Sequence, residues 1–161
     1  MGTPFRTITL LLALCLCLPA VQAAAAQPGP SGLLAGQTIY VPCYSHIYHG
    51  IKTRPIDLTI TLSVRNTDPR RAITLTAVDY HDTSGKLVRR YLNAPATLAP
   101  LMTAEYIVGQ TDLSGGSGAN FLVRWTAASP ANPPLVEAVM IGTSSQQGIS
   151  FITSGRPIAD D

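Results

Sequence analysis

Residues 56–66 read IDLTITLSVRN, and this stretch decides the fold class. Ile56, Leu58, Ile60, Leu62 and Val64 alternate with Asp57, Thr59, Thr61, Ser63 and Arg65. A period of two, rich in Thr and β-branched residues, predicts a strand with one dry face and one wet face. The turn formers of NTDPRR follow it. Next, AITLTAVDYHD (72–82) puts Ile73, Leu75 and Ala77 on one phase, then shifts to Val78 and Tyr80. A phase change inside a strand predicts a β-bulge near Ala77. In DTSGK (82–86), Gly85 supplies the positive φ of a hairpin turn. KLVRRYL (86–92) then reads as a short edge strand, exposing Arg89 and Arg90.

The same grammar runs to the C-terminus. MTAEYIV (102–108) is a strand, and GQTDLSGGSG (109–118) is a glycine-rich loop. ANFLVRWTA (119–127) directs Phe121, Val123 and Trp125 inward, and SPANPP (129–134) breaks the chain. LVEAVMIG (135–142) is apolar on both phases, as expected of a central strand covered on both sides. GISFITSG (148–155) is the last strand, and RPIADD reads as a polar tail. No segment sustains helical periodicity beyond two turns. About eight short strands with hairpin-like connections predict an all-β fold: an antiparallel two-sheet β-sandwich, immunoglobulin-like.

Upstream, residues 1–23 have the order of a secretory signal peptide. Arg6 precedes the apolar run LLLALCLCL, and small residues follow up to Ala23. Cleavage after Ala25 or Ala26 also fits. The apolar run is too short to favour a membrane span, so none is expected after cleavage. Cys15 and Cys17 each follow a leucine, which disfavours lipid attachment. Residues 24–36 read as a flexible lead-in and 37–158 as a single domain. Removing the leader leaves Cys43 as the sole cysteine, so no internal disulfide is expected. It also leaves ten basic residues against nine acidic ones. That balance excludes the strong basic excess of a nucleic-acid binder. It gives no net attraction to an anionic membrane.

Chemistry-bearing residues are few. VPCYSHIYHG (41–50) spaces Cys43, His46 and His49 by three, the residue types that hold zinc or copper. In an extended strand, residues three apart face opposite ways, so a shared ion there needs a helical turn or an irregular loop. A further ligand has to come from elsewhere, and His81 and Asp79 are the candidates. Cys43, between Val41 and Tyr44, is expected to be a buried small hydrophobe. Asp79 and His81 share a strand face and are placed to hydrogen-bond. GGSGA (115–119) faintly matches a nucleophile elbow around Ser117, but a strand pattern follows it where that motif needs a helix. Arg124 and Glu137, charges among apolar residues, are expected to pair across neighbouring strands. No catalytic residue is assigned.

Several stretches together resemble a known family: YVPCYSHIYHG, LTITLSVRNTD, VDYHDTSGKLVRRYL, GGSGANFLVRW and EAVMIGTSSQQGISFITSGRPI. They resemble exported bacterial proteins known only as domain of unknown function 3124, from about Gln37 to Ile158. The resemblance implies a bacterial periplasmic or secreted setting and carries no activity. The family usually has an aliphatic residue where this chain has Cys43, which counts against a cysteine-dependent site. The expectation is a non-enzymatic module without a cofactor. It would bind a protein or small ligand through Tyr44, His46, Tyr48, His49 and Ser117. The alternative is a metal protein using His46, His49 and His81, with zinc or copper.

Overall fold

A computed structural model describes residues 32–51, 53–143 and 148–159. The leader and most of the lead-in lie outside the described residues. Twelve strands and no helix are present among the described residues. They are β1 (Leu34–Pro42), β2 (His46–His49), β3 (Arg54–Asp57), β4 (Thr59–Arg65), β5 (Ile73–His81), β6 (Leu87–Arg90), β7 (Ala96–Leu98), β8 (Thr103–Val108), β9 (Asn120–Ala131), β10 (Leu135–Gly142), β11 (Ile149–Ser154) and β12 (Arg156–Ile158). A six-stranded sheet runs β12-β1-β9-β5-β6, with β7 also on β5, and a four-stranded sheet runs β11-β10-β4-β8. The β2–β3 hairpin is a separate third sheet. Every pairing is antiparallel.

The alternation at 56–64 sets one wall of the core. Leu58, Ile60, Leu62 and Val64 are fully buried, each worth about 1.5–3 kcal/mol of transfer free energy. The run is nevertheless two strands. At Leu58 the chain changes partners, from β2 to β10 and β8. The other sheet supplies Ile39, Val41, Leu75, Val78, Tyr80, Phe121, Val123 and Trp125 to the same cluster. The register of β5 on β9 shifts between Leu75 and Ala77, leaving Thr76 as the extra, exposed residue. This is the bulge that the phase change predicts. The β5–β6 hairpin turns at Gly85 with φ 82°.

Four expectations are corrected. β9 runs through Ser129 and Pro130 to Ala131, because Pro130 lies beyond the stretch paired with β5 and needs no amide there. β10 is central but covered on one face only. Val136, Ala138 and Met140 are buried, while Leu135 and Ile141 are exposed. The chain does not end in a polar tail at Arg156. It turns at Gly155 and adds β12 to the edge of the other sheet beside β1. Finally, Arg124 and Glu137 do not pair. β9 and β10 belong to different sheets, so Arg124 meets Asp79 of β5 at 3.4 Å while Glu137 stands opposite Ser63 and Ser154.

The turn after β4 is a polar lock. The Asn66 backbone N–H donates to the Met102 carbonyl, and its side-chain amide donates to the carbonyls of Arg71, Leu98 and Ala99. Its side-chain oxygen accepts from the Asp68 N–H. The Asp68 carboxylate accepts from the backbone of Arg70, Arg71 and Asn132 and from the Arg71 guanidinium. Both residues are buried.

Candidate functional site

The opposite end of β4 carries the candidate residues. Past Pro42 the chain leaves β1, and three hydrogen bonds fix its course. The Cys43 N–H donates to the Ala119 carbonyl at 2.9 Å. The Ser45 N–H and hydroxyl both donate to the Gly116 carbonyl at 3.0 Å. Ser45 is fully buried, and its own carbonyl accepts from the Leu58 N–H. The segment 43–49 and the loop 109–118, distant in sequence, therefore lie side by side.

Thr83 holds the loop from its other flank. Its N–H and hydroxyl donate to the Gly115 carbonyl, and its hydroxyl oxygen accepts from the Gly118 N–H. Gly115 sits directly on the buried Tyr80 side chain. A Cβ there would fall 1.9 Å from the Tyr80 hydroxyl oxygen, so no larger residue fits. Asp112 organises the loop start, accepting from the Ser114 hydroxyl and N–H and from the Arg89 guanidinium at 2.9 Å. Those partners, the Ser114 hydroxyl first, lower its pKa. Strands β8 and β9 flank this loop and Ser117 is half-buried in it, so the strand–turn–helix setting of a nucleophile elbow is not formed.

Residues 43–45 are irregular and His46–His49 is strand, so no helical turn forms across 43–49. Tyr44 packs edge-on against Phe151, with ring centroids 5.8 Å apart. His46 and Tyr48 share one face of β2, with His46 Nε2 3.0 Å from the Tyr48 hydroxyl. His49 stands on the other face opposite Arg54, and both are exposed. Strand parity thus separates His46 from His49. His81 belongs to β5, opposite Asn120, with its Nδ1 buried and without a hydrogen-bond partner. The three histidines are not brought together. Among the described residues, no group of three His, Cys, Asp or Glu side chains is placed to hold a metal ion. Asp79 pairs with Arg124 rather than His81. Cys43 is fully buried, and burial pushes its thiol up to about 12, so it stays protonated and unreactive at neutral pH.

Sequence reasoning selected both stretches and the structure makes them neighbours. It missed Ser45, which joins them, and the roles of Thr83 and Arg89, which hold the loop from the β5–β6 side. Their only sequence signal is that hydroxyl and guanidinium donors flank a glycine-rich loop whose carbonyls need partners.

Fold and site define an all-β protein of antiparallel sheets, with a hairpin and a glycine loop bound together at one end. The family described as "Protein of unknown function (DUF3124)" matches residues 36–158, and the chain belongs to that family. No curated protein matches it. Among solved structures, the chain is similar to "Crystal Structure of Thermotoga maritima 1070". Identity is 9% and the TM-score 0.45, over 74% of this chain and 92% of that one. No described helix is long and apolar enough to cross a membrane.

Proposed function

We propose that this protein is a non-enzymatic binding module, exported to the bacterial periplasm or cell surface. It holds a protein or small ligand at the end where segment 44–49 meets the loop 114–118. The observation that carries this reading is the pair of hydrogen bonds from Ser45 to Gly116. They fix His46, Tyr48 and Ser117 on one rigid frame, and Tyr48 remains 54% exposed. Rigid sheets presenting loops concentrate recognition there, and tyrosine offers contact area at low entropic cost. The protonated Cys43 and the helix-free setting of Ser117 support a role without covalent catalysis. Export rests on the signal-peptide order of residues 1–23.

For the fold, we read the two larger sheets as an immunoglobulin-like sandwich. In immunoglobulin domains, strands B and E pair in one sheet while C and F pair in the other. β4 with β8 and β5 with β9 reproduce that arrangement in chain order. The outer strands exchange places. β10 lies beside β4, where the first strand would stand, and β1 lies beside β9, where the last would stand.

A photo-reactive amino acid at His46 or Ser117, introduced in the producing cell, tests the binding reading. Both positions should label the same species, and Thr76 on the far sheet should not. Equal labelling from all three positions would refute it.

A further inference from the structure

The β2–β3 hairpin is anchored at its base and bare at its tip. Ile56 is buried and Ile47 packs against the core. Exposure then climbs along the hairpin to 105% at Ile51, as open as an isolated residue. Among the described residues, β2 and β3 pair with each other and with no other strand. The turn has left-handed backbone at Gly50 (φ 68°) and at Thr53 (φ 49°), and it is closed by the Thr53 N–H donating to the Gly50 carbonyl at 3.2 Å. A β-branched residue held there is disfavoured, and such strain clusters at sites of function.

Charge is graded along the same hairpin. Asp57 lies at the base, opposite His46. From Tyr48 to Ile56 the sequence carries Lys52 and Arg54 and no acidic residue; Lys52 lies outside the described residues. His49 and Arg54 face each other across the strands and, with Gly50 and Ile51, border an open hollow of about 360 Å³. The near-neutral charge of the whole chain conceals this local cluster.

We propose that the hairpin tip docks on an anionic phospholipid surface. Ile51 enters the acyl boundary, Arg54 and His49 meet headgroup phosphates, and Tyr48 lies at headgroup level, where amphipathic rings partition. A free phosphate would make no use of Ile51. A protein partner needs a ring of contacts around a buried anchor. A convex tip with one aliphatic residue suits a fluid surface that needs no matching pocket. One side chain and a few cations give weak, reversible attachment, which orients the protein rather than fixing it. The inference goes beyond the binding reading, because the lipid contact does not involve Ser117 or its loop.

Sedimentation of the processed chain with phosphatidylcholine vesicles, with and without phosphatidylglycerol, tests it. Binding should require the anionic lipid and weaken with salt. Arg54→Ala should lower partitioning about fivefold, and Ile51→Ser by about as much. Both variants should keep the parent's thermal midpoint, because neither side chain is buried. Absence of binding, or unchanged binding by Ile51→Ser, would overturn the proposal. So would tip cross-links made to an acidic protein and none to lipid. Cross-linking from Ser117 reads the ligand site separately, so either idea can fail alone.

Discussion

The two ends of β4 are built on opposite principles. Beyond Arg65, Asn66 and Asp68 are only 2% and 1% exposed, and their polar groups are tied to surrounding backbone. Before Thr59, the chain rises into a hairpin whose Tyr48, His49, Ile51 and Arg54 are all exposed. The first end joins the β4–β5 turn, the end of β7, the approach to β8 and the β9–β10 connection. The second is tied to the rest at its base, by Ser45 to Gly116 and by Gln110 to Asp57, while its tip is exposed. A buried polar network is costly unless each member is satisfied, so the closed end specifies the fold. The open end leaves side chains free to meet something else.

That contrast predicts a large loss at the closed end. Asn66→Ala would strip a donor from three carbonyls and an acceptor from the Asp68 N–H. It should cost about 3 kcal/mol in denaturant unfolding. A cost as small as that of a surface change would mean the lock does not bear on stability. Acid probes the same lock without mutation. Backbone N–H groups, that of Asn132 first, hold the Asp68 carboxyl down at about 2 against an ordinary 3.8. The folded state binds this proton less readily than the unfolded chain. The stabilisation is therefore complete above pH 4 and declines as pH falls toward 2. A urea midpoint that stays level across that window in the parent would contradict it.

An intermediate effect belongs to the glycine loop, which sits beside the hairpin but is tethered like the lock. Thr83→Val keeps the shape of the side chain and removes both the donor to Gly115 and the acceptor for Gly118. It should cost about 1–2 kcal/mol and speed amide exchange at Gly118 more than at Val64. Uniform exchange across both would show that Thr83 does not control the loop separately.

Local patterns were legible in the sequence and long-range partners were not. The alternation from Ile56 to Val64, the phase slip in β5 and the turn at Gly85 all depend on neighbours in the chain, and each is found. The segment 66–71 reads only as a turn, because its acceptors and donors lie 32, 33 and 64 residues away. Arg124 and Glu137 looked like neighbours because their strands are consecutive. Pro133 and Pro134 lie where the chain crosses to the other sheet, and periodicity carries no record of that crossing. For the site, residue types singled out both stretches. Strand parity, already an argument against a shared metal, separates His46 from His49. Ser45 could not be foreseen as the joint, because its acceptor lies 71 residues on.

The smallest expected effect has the opposite sign. Thr53 holds φ 49° in the hairpin turn, a region that β-branched side chains avoid and asparagine tolerates. Thr53 is exposed, so replacing it removes no core contact. Thr53→Asn should therefore raise stability by about 0.5 kcal/mol, read as a shift of the urea midpoint at unchanged slope. The same substitution separates shape from surface. If the turn's form is what the lipid contact needs, the variant binds vesicles as the parent does, because asparagine keeps the backbone where threonine put it. A loss of stability would instead mean that the threonine side chain supports the turn, and the hairpin would then resemble the locked end of β4 more than its opposite.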